Sequence, residues 1–171
     1  MAEKIANRGM DWEKLINKKS EEYRKSGEAF IFKLPTEWQV QRAGQKIVSA
    51  FPKCKSLVDY FGSLKDGRAI SIEAKRTTNT TSFPFANIKE HQYKFFEAWK
   101  EISPLGYFLI WFKTQDKKFL VEAEKILELR KTIKRKSIPY DWFWRKLNSF
   151  RQRTKLFRLH KIKILHNWRD R

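Results

Sequence analysis

Apolar residues recur at helical spacing in three parts of the chain. In the first part Asp11 fits an N-cap and Gly27 fits the end of a helix. The apolar positions between them are Trp12, Leu15, Ile16 and Tyr23. The same spacing predicts helices over residues 87–102 and 122–134. The predicted buried stripe of the middle helix consists of Ile88, Phe95, Phe96 and Trp99.

Short runs of apolar or alternating residues predict strands between these helices. The runs cover residues 29–34, 57–61, 69–75, 107–112 and 118–121. Gly62 is predicted to turn the chain, and Asp66-Gly67 is a hairpin signal. Residues 41–51 are ambiguous, with a short helix as the interpretation. This order of elements predicts a mixed α/β domain whose central sheet of about five strands is flanked by helices.

Charge adds the first indication of function. The chain has 38 Lys and Arg against 19 Asp and Glu, which gives a net charge of +19. Such a surplus favours an anionic partner, and phosphate backbones are the commonest one. A merely basic soluble protein and a protein bound to an anionic membrane surface are the alternatives. No apolar stretch approaches the ~20 residues of a membrane span, and no signal-peptide pattern opens the sequence.

The surplus is concentrated towards the C-terminus. Residues 130–171 contain 15 Lys and Arg against 2 Asp, a net charge of +13. Aromatic residues are interleaved with these cations: Trp142, Phe143, Trp144, Phe150, Phe157 and Trp168. This pattern favours either a nucleic-acid surface or a helix that packs its rings on the core. We therefore divide the chain into a core domain, residues 1–135, and a basic helical extension, residues 136–171.

Cysteine and histidine do not indicate a zinc site. Cys54 is the single cysteine, so it cannot form an internal disulfide, and a reducing compartment fits. His91, His160 and His166 do not have ligand spacing with other His or Cys residues.

Acidic residues at two predicted strands suggest a different metal site. Because side chains alternate along a strand, Glu73 and Lys75 share one face of the strand over residues 69–75. Asp59 lies in the preceding strand, and a hairpin between the two strands would bring its carboxylate to Glu73. Two carboxylates can hold Mg²⁺ or Mn²⁺ for phosphodiester hydrolysis, while a lysine serves the attacking water. The plainer alternative is a solvated charge pair on a half-exposed strand.

Asp, a spacer and then Glu-x-Lys form the skeleton of the restriction-endonuclease-like nucleases. Several strings, in the correct order over about residues 7–140, further resemble RecU, the family of Holliday junction resolvases of Gram-positive bacteria and some of their phages. These strings are Asn7-Arg8-Gly9-Met10 with Glu13 and Ile16-Asn17, Lys33-Leu34-Pro35-Thr36, Val58-Asp59-Tyr60 with Gly62, Glu73-Ala74-Lys75, and Ser82-Phe83-Pro84-Phe85 with Ile88-Lys89 and His91-Gln92.

The resemblance implies a restriction-endonuclease-like fold and a homodimer with one active site in each subunit. It assigns Asp59 and Glu73, with the carbonyl of Ala74, as ligands of Mg²⁺, with Mn²⁺ as a substitute. Lys75 would serve the water, and Glu13 and Gln92 would complete the pocket. The substrate would be four-way junction DNA, nicked symmetrically during recombination and repair. The cations expected to contact DNA phosphates are Arg8, Arg76, Lys89, Arg151, Arg153 and Lys155.

The resemblance also implies a location in the bacterial cytoplasm, for a cellular or a phage-encoded protein, and suggests recombinase or branch-migration proteins as partners. The chain departs from the family in a shorter stalk region, about residues 37–57, and in a more basic extension. Two other functions stay open: a restriction-like or repair endonuclease on duplex DNA, and a non-catalytic, basic nucleic-acid-binding protein. Metal-dependent cleavage of junctions, of duplexes or of neither would distinguish the three.

Overall fold

The computed structural model describes residues 3–53 and 57–145, and for residues 3–11 and Pro52 it describes the backbone alone. Along the chain, the helices and strands are α1 (Glu3–Ser26), β1 (Ala29–Lys33), β2 (Trp38–Ala43), β3 (Lys46–Pro52), β4 (Tyr60–Leu64), β5 (Ala69–Thr77), β6 (Ser82–Pro84), α2 (Glu90–Trp99), β7 (Gly106–Phe112), β8 (Lys117–Glu122), α3 (Ala123–Thr132) and β9 (Ser137–Pro139). Residues 140–145 are helical as well. No helix in the described part of the chain is both long and apolar enough to span a bilayer.

Five strands form the central sheet in the order β1-β4-β5-β7-β8. The pairs β1–β4, β4–β5 and β7–β8 are antiparallel, whereas β5 and β7 are parallel. A parallel pair needs a long crossover, and here that crossover contains α2. The predicted mixed α/β class with a five-stranded mixed sheet is confirmed, and it is consistent with a restriction-endonuclease-like fold.

The two faces of the sheet are both buried. Alternate residues of β7 belong to different core clusters: Leu109 packs with Trp12 and Ile16 of α1, whereas Phe108 packs with Phe96 of α2 and with α3. Because successive side chains of a strand point to opposite faces, α1 covers one face and α2 and α3 cover the other. Polar side chains of β5 that point towards α2 therefore lie in the interior.

The region between β1 and β4 corrects the sequence interpretation. Residues 41–51 do not form a short helix, because β2 and β3 pair as an antiparallel hairpin. Its turn contains Gly44, whose φ of +61° suits glycine. Every residue of β2 is exposed, so no core selects a period of apolar positions along it. Within the predicted stalk region, residues 38–52 therefore form a hairpin.

Gly62 does not turn the chain, although the sequence suggested that it would. It lies inside β4, paired with Ile31 and Ile70 on the two neighbouring strands. A Cβ at this position would lie 2.1 Å from the carbonyl oxygen of Phe30. Glycine is thus needed for the close approach of β1, and β4 continues to the turn that contains Asp66-Gly67. The predicted hairpin at Asp66-Gly67 is confirmed.

The first helix also begins earlier than predicted, at Glu3 rather than at Asp11. Glu3, Lys4 and Ala6 are good helix formers, so the helix continues beyond its apolar stripe. At the other end, β9 pairs with β6, and Phe143 is buried in the core, so the first ten residues of the predicted extension pack on the core domain. The division at residue 135 stays a prediction, because residues 146–171 lie outside the described residues.

Candidate metal centre

The antiparallel pairing of β4 with β5 brings the two predicted carboxylates together. Tyr60 pairs with Ile72, so Asp59 lies opposite Glu73. The backbone N–H of Asp59 donates to Glu73 Oε2 at 3.2 Å, and that of Ala74 donates to Asp59 Oδ2 at 2.9 Å. Each carboxylate is thus held by the backbone of the other's strand.

Glu73 is almost completely buried, with 1% of its surface exposed. Two donors meet at its Oε1 atom: Lys75 Nζ at 2.8 Å and Gln92 Nε2 at 2.5 Å. Gln92 is itself held at the beginning of α2, because its Oε1 accepts from the backbone N–H of Lys89 at 2.9 Å. Hydrogen bonds therefore hold both the oxygen and the nitrogen of the Gln92 side-chain amide.

Burial, followed by the nearby negative charge of Asp59, raises the pKa of Glu73 from its ordinary value of 4.5 to about 7, although Lys75 opposes the shift. The raised pKa shows that these surroundings disfavour the ionised form of Glu73. A buried carboxylate in this condition is stabilised when another cation arrives. The low-dielectric surroundings strengthen the attraction that the cation experiences.

The donor set fits a hard divalent cation. Asp59 and Glu73 offer carboxylate oxygens, which Mg²⁺ and Mn²⁺ prefer over nitrogen and sulfur ligands. Within the described residues, no group of three or more His, Cys, Asp and Glu side chains converges on one point. A site with only two carboxylates leaves positions for water and phosphate oxygens, as magnesium sites in phosphoryl chemistry do. The predicted third ligand, the carbonyl of Ala74, lies next to Glu73 in the sequence and stays a prediction.

The structure brings together four of the five predicted catalytic residues. Among the described residues, Glu13 has no hydrogen bond or ion pair with the other four, and its carboxylate pairs with Lys33 Nζ at 2.5 Å. The negative charge of Glu13 nevertheless acts close to the site. The pKa of Tyr60, which follows Asp59, is raised by burial first, then by the charge of Glu13 and then by that of Asp59. Lys33 was part of the resemblance but had no predicted role. Its ion pair with Glu13 depends on the packing of α1 against β1, which the sequence does not show.

The predicted DNA-contacting cations are distributed differently. Arg76 follows Lys75 on β5, and its buried Nη1 atom has no hydrogen-bond partner among the described residues. Lys89 is exposed directly before α2. Arg8 lies in α1, where only the backbone is described, and Arg151, Arg153 and Lys155 lie outside the described residues.

Comparison with known proteins identifies the family of this chain. The family model described as "Recombination protein U" (RecU) matches residues 7–167. The chain is 38% identical to the Holliday junction resolvase RecU of Oceanobacillus iheyensis over 146 residues, which cover 80% of this chain and 74% of that protein. The chain is 34% identical to the protein of the same name from Staphylococcus carnosus over 149 residues, which cover 84% of this chain and 64% of that protein. It is 36% identical to the protein of that name from Streptococcus sanguinis over 142 residues, which cover 79% of this chain and 70% of that protein. The chain belongs to the RecU family.

Proposed function

We propose that this protein is a metal-dependent endodeoxyribonuclease that resolves four-way DNA junctions by paired, symmetric nicks. The observation that carries the proposal is the buried Glu73, linked to Asp59 through backbone hydrogen bonds and paired with Lys75. Placing the buried Glu73 beside the half-buried Asp59 costs stability unless a cation compensates their charge. A divalent cation bound beside a scissile phosphate would provide that compensation.

In this mechanism, Asp59 and Glu73 would hold Mg²⁺, with Mn²⁺ as a substitute, and the Ala74 carbonyl would be the additional ligand. When bound, such an ion would supply positive charge at the phosphate and lower the pKa of an attacking water. Lys75 orients that water and stabilises negative charge that develops on the phosphate oxygens. Gln92 keeps the Glu73 carboxylate in one orientation, because its amide donates to Oε1. Glu13, paired with Lys33, is an auxiliary group at the edge of the site.

The substrate is proposed from two observations. The relatives described above are named Holliday junction resolvases, and the net charge of +19 suits a partner with phosphates on several arms. A homodimer would present two sites to a junction that has its own approximate two-fold axis. The predicted cations Arg8, Arg76, Lys89, Arg151, Arg153 and Lys155 would then contact phosphates without reading base sequence. The protein would act in the bacterial cytoplasm, with recombinase or branch-migration proteins as further partners.

The test is cleavage of a labelled four-way junction and a matched linear duplex, in Mg²⁺ and in chelator. We expect symmetric, metal-dependent nicks in the junction alone, and their loss in Glu73→Ala with junction binding retained. Glu101→Ala is the matched control, because Glu101 is an exposed glutamate whose lysine partner, Lys100, lies 3.5 Å away. That control should cleave as the wild type does.

Two other outcomes would contradict the proposal. Equal cutting of the duplex and the junction would indicate a duplex endonuclease. Tight junction binding without cleavage in Mg²⁺ or Mn²⁺ would leave a non-catalytic DNA-binding protein. Loss of folding in Glu73→Ala, detected by circular dichroism, would be resolved with Glu73→Gln, which preserves the shape of the side chain.

A further inference from the structure

A groove of about 460 Å³ lies between the end of α3, β9 and the helical residues 140–145. Its floor is apolar and includes Leu129, Ile133, Ile138 and Trp142, and Arg135 and Arg145 line it as well. The lining residues do not include any member of the candidate metal centre. The groove is held in place by the pairing of β9 with β6 and by the burial of Ile138 in the core.

The rim of this groove carries uncompensated positive charge. Neighbouring cations on α3 are neutralised, since Arg130 pairs with Glu90 at 2.8 Å and Lys131 with Glu97 at 3.1 Å. Within the described part of the chain, ion pairs are absent from the next cations, which are Lys134, Arg135, Lys136 and Arg145. Together with the exposed carboxylate of Asp141, these groups give residues 134–145 a net charge of +3, from four cations and one anion.

The charge selects the kind of occupant. Residues 146–171 contain nine Lys and Arg against one Asp, a net charge of +8, so the rim repels the chain's own C-terminal segment. Nucleic acid would satisfy the cations, but it offers flat bases and phosphates to a floor that is mostly aliphatic. An acidic peptide with apolar side chains satisfies both parts, because its apolar groups fill the floor while its carboxylates meet the arginines.

We propose that this groove binds an acidic, apolar-containing peptide segment of a partner protein. The apolar side chains of the segment lie on Leu129, Ile133 and Trp142, and its carboxylates pair with Arg135 and Arg145. Arginine suits this task, since its planar guanidinium can donate two parallel hydrogen bonds to one carboxylate. The site would connect the enzyme to another protein while leaving the metal centre free for DNA.

The test is fluorescence anisotropy of the full chain in chelator, so that neither metal nor cleavage is involved. The probe is a fluorescein-labelled peptide of sequence Asp-Asp-Phe-Asp-Asp-Leu-Phe, and the control peptide has serine at the three apolar positions. The protein variants are Arg135→Glu at the groove and Lys65→Glu as a matched control. Lys65 is an exposed cation in the turn between β4 and β5, at the opposite end of β5 from β6.

We expect Arg135→Glu to weaken binding of the apolar peptide by at least about tenfold, and Lys65→Glu to leave it unchanged. The serine peptide should bind at least about tenfold more weakly than the apolar peptide. Equal binding of the two peptides, or equal losses in the two variants, would overturn the proposal, since attraction would then be non-specific. A labelled oligodeoxythymidine that depends on Arg135 while the peptide does not would identify a DNA surface instead. Any of these failures leaves the proposed nuclease function untouched.

Discussion

Two lysine–carboxylate pairs in this protein have the same N–O distance but lie in different surroundings. Lys75 Nζ is 2.8 Å from Glu73 Oε1 on β5, and Lys118 Nζ is 2.8 Å from Asp116 Oδ1 at the beginning of β8. Each lysine side chain is 16% exposed, but the Glu73 side chain is 2% exposed and that of Asp116 is 72% exposed. The remaining difference between the two pairs is therefore the solvation of the carboxylate and its neighbours.

Each carboxylate also accepts from a neutral N–H group, which makes the match closer. Gln92 Nε2 donates to Glu73, and Trp111 Nε1 donates to Asp116 at 2.9 Å. Nevertheless, burial raises the pKa of Glu73, whereas the hydrogen bond from Lys118 lowers that of Asp116. Desolvation and the second carboxylate of Asp59 outweigh the lysine at Glu73. Burial beside another anion, rather than ion-pair distance, thus marks the candidate metal centre.

The largest expected difference between the pairs is in DNA cleavage. Lys75→Met should slow single-turnover junction cleavage by about 100-fold or more, because a group that serves the attacking water is lost. Lys118→Met should change the same rate by no more than roughly twofold, since its carboxylate partner is solvated. The measurement is cleavage of the labelled junction with protein and Mg²⁺ in excess. Equal losses in the two variants would show that Lys75 acts only as a surface cation.

The buried pair was also the more predictable of the two from the sequence. Alternation along β5 placed Glu73 and Lys75 on one face, and the hairpin at Asp66-Gly67 fixed the partner strand that carries Asp59. The burial of Glu73 was not predicted, and a half-exposed strand belonged only to the alternative of a solvated charge pair. Only the packing of α2 on that face encloses the carboxylate, and packing between distant elements has no local signal.

Elements without a buried face were the least predictable. The β2–β3 hairpin was interpreted as a short helix, and its apolar residues Ile47 and Val48 are both more than half exposed. The sequence pattern reflects burial, so it carries little information where nothing is buried. Gly62 was misread for the opposite reason, since its role depends on the close approach of β1, which lies 30 residues earlier at Phe30 to Phe32.

The next largest effect is the pH dependence of stability in chelator. The folded-state pKa of Glu73, about 7, lies above its ordinary value of 4.5, so protonated Glu73 favours the folded state. This contribution is complete below about pH 4.5 and is lost as the pH rises through about 7. Relative to Glu73→Gln, the free energy of unfolding of the wild type should fall by roughly 2 to 3 kcal/mol from about pH 5 to pH 8.

Urea denaturation of both proteins at each pH measures this difference. Added Mg²⁺ should restore stability at the higher pH, because it binds the ionised carboxylates of the folded state. A difference that stays constant with pH would mean that Glu73 is well solvated, which would remove the contrast with Asp116.

Removing the neutral hydrogen-bond donors, Gln92 and Trp111, tests a smaller effect, which is a change in the affinity of the site for Mg²⁺. Gln92→Leu should raise the Mg²⁺ concentration for half-maximal cleavage by about tenfold, because an orienting partner of a ligand is lost. The rate at saturating Mg²⁺ should recover most of the wild-type value. Trp111→Phe, which removes the corresponding donor of Asp116, should leave the Mg²⁺ requirement unchanged. A reduced rate at all Mg²⁺ concentrations in Gln92→Leu would instead give Gln92 a role in the chemical step.

The smallest effect is expected at the exposed pair, in Asp116→Asn. Asparagine tolerates the φ of +47° at this position, so the substitution removes charge without adding strain. Because the pKa of Asp116 is lowered, its ion pair contributes stability above the ordinary carboxyl pKa and loses it as the pH falls. At neutral pH the free energy of unfolding should drop by about 0.5 kcal/mol or less, and high salt should abolish even that difference. If Asp116→Asn instead reduced junction cleavage as strongly as Lys75→Met, burial could not be what distinguishes the two pairs.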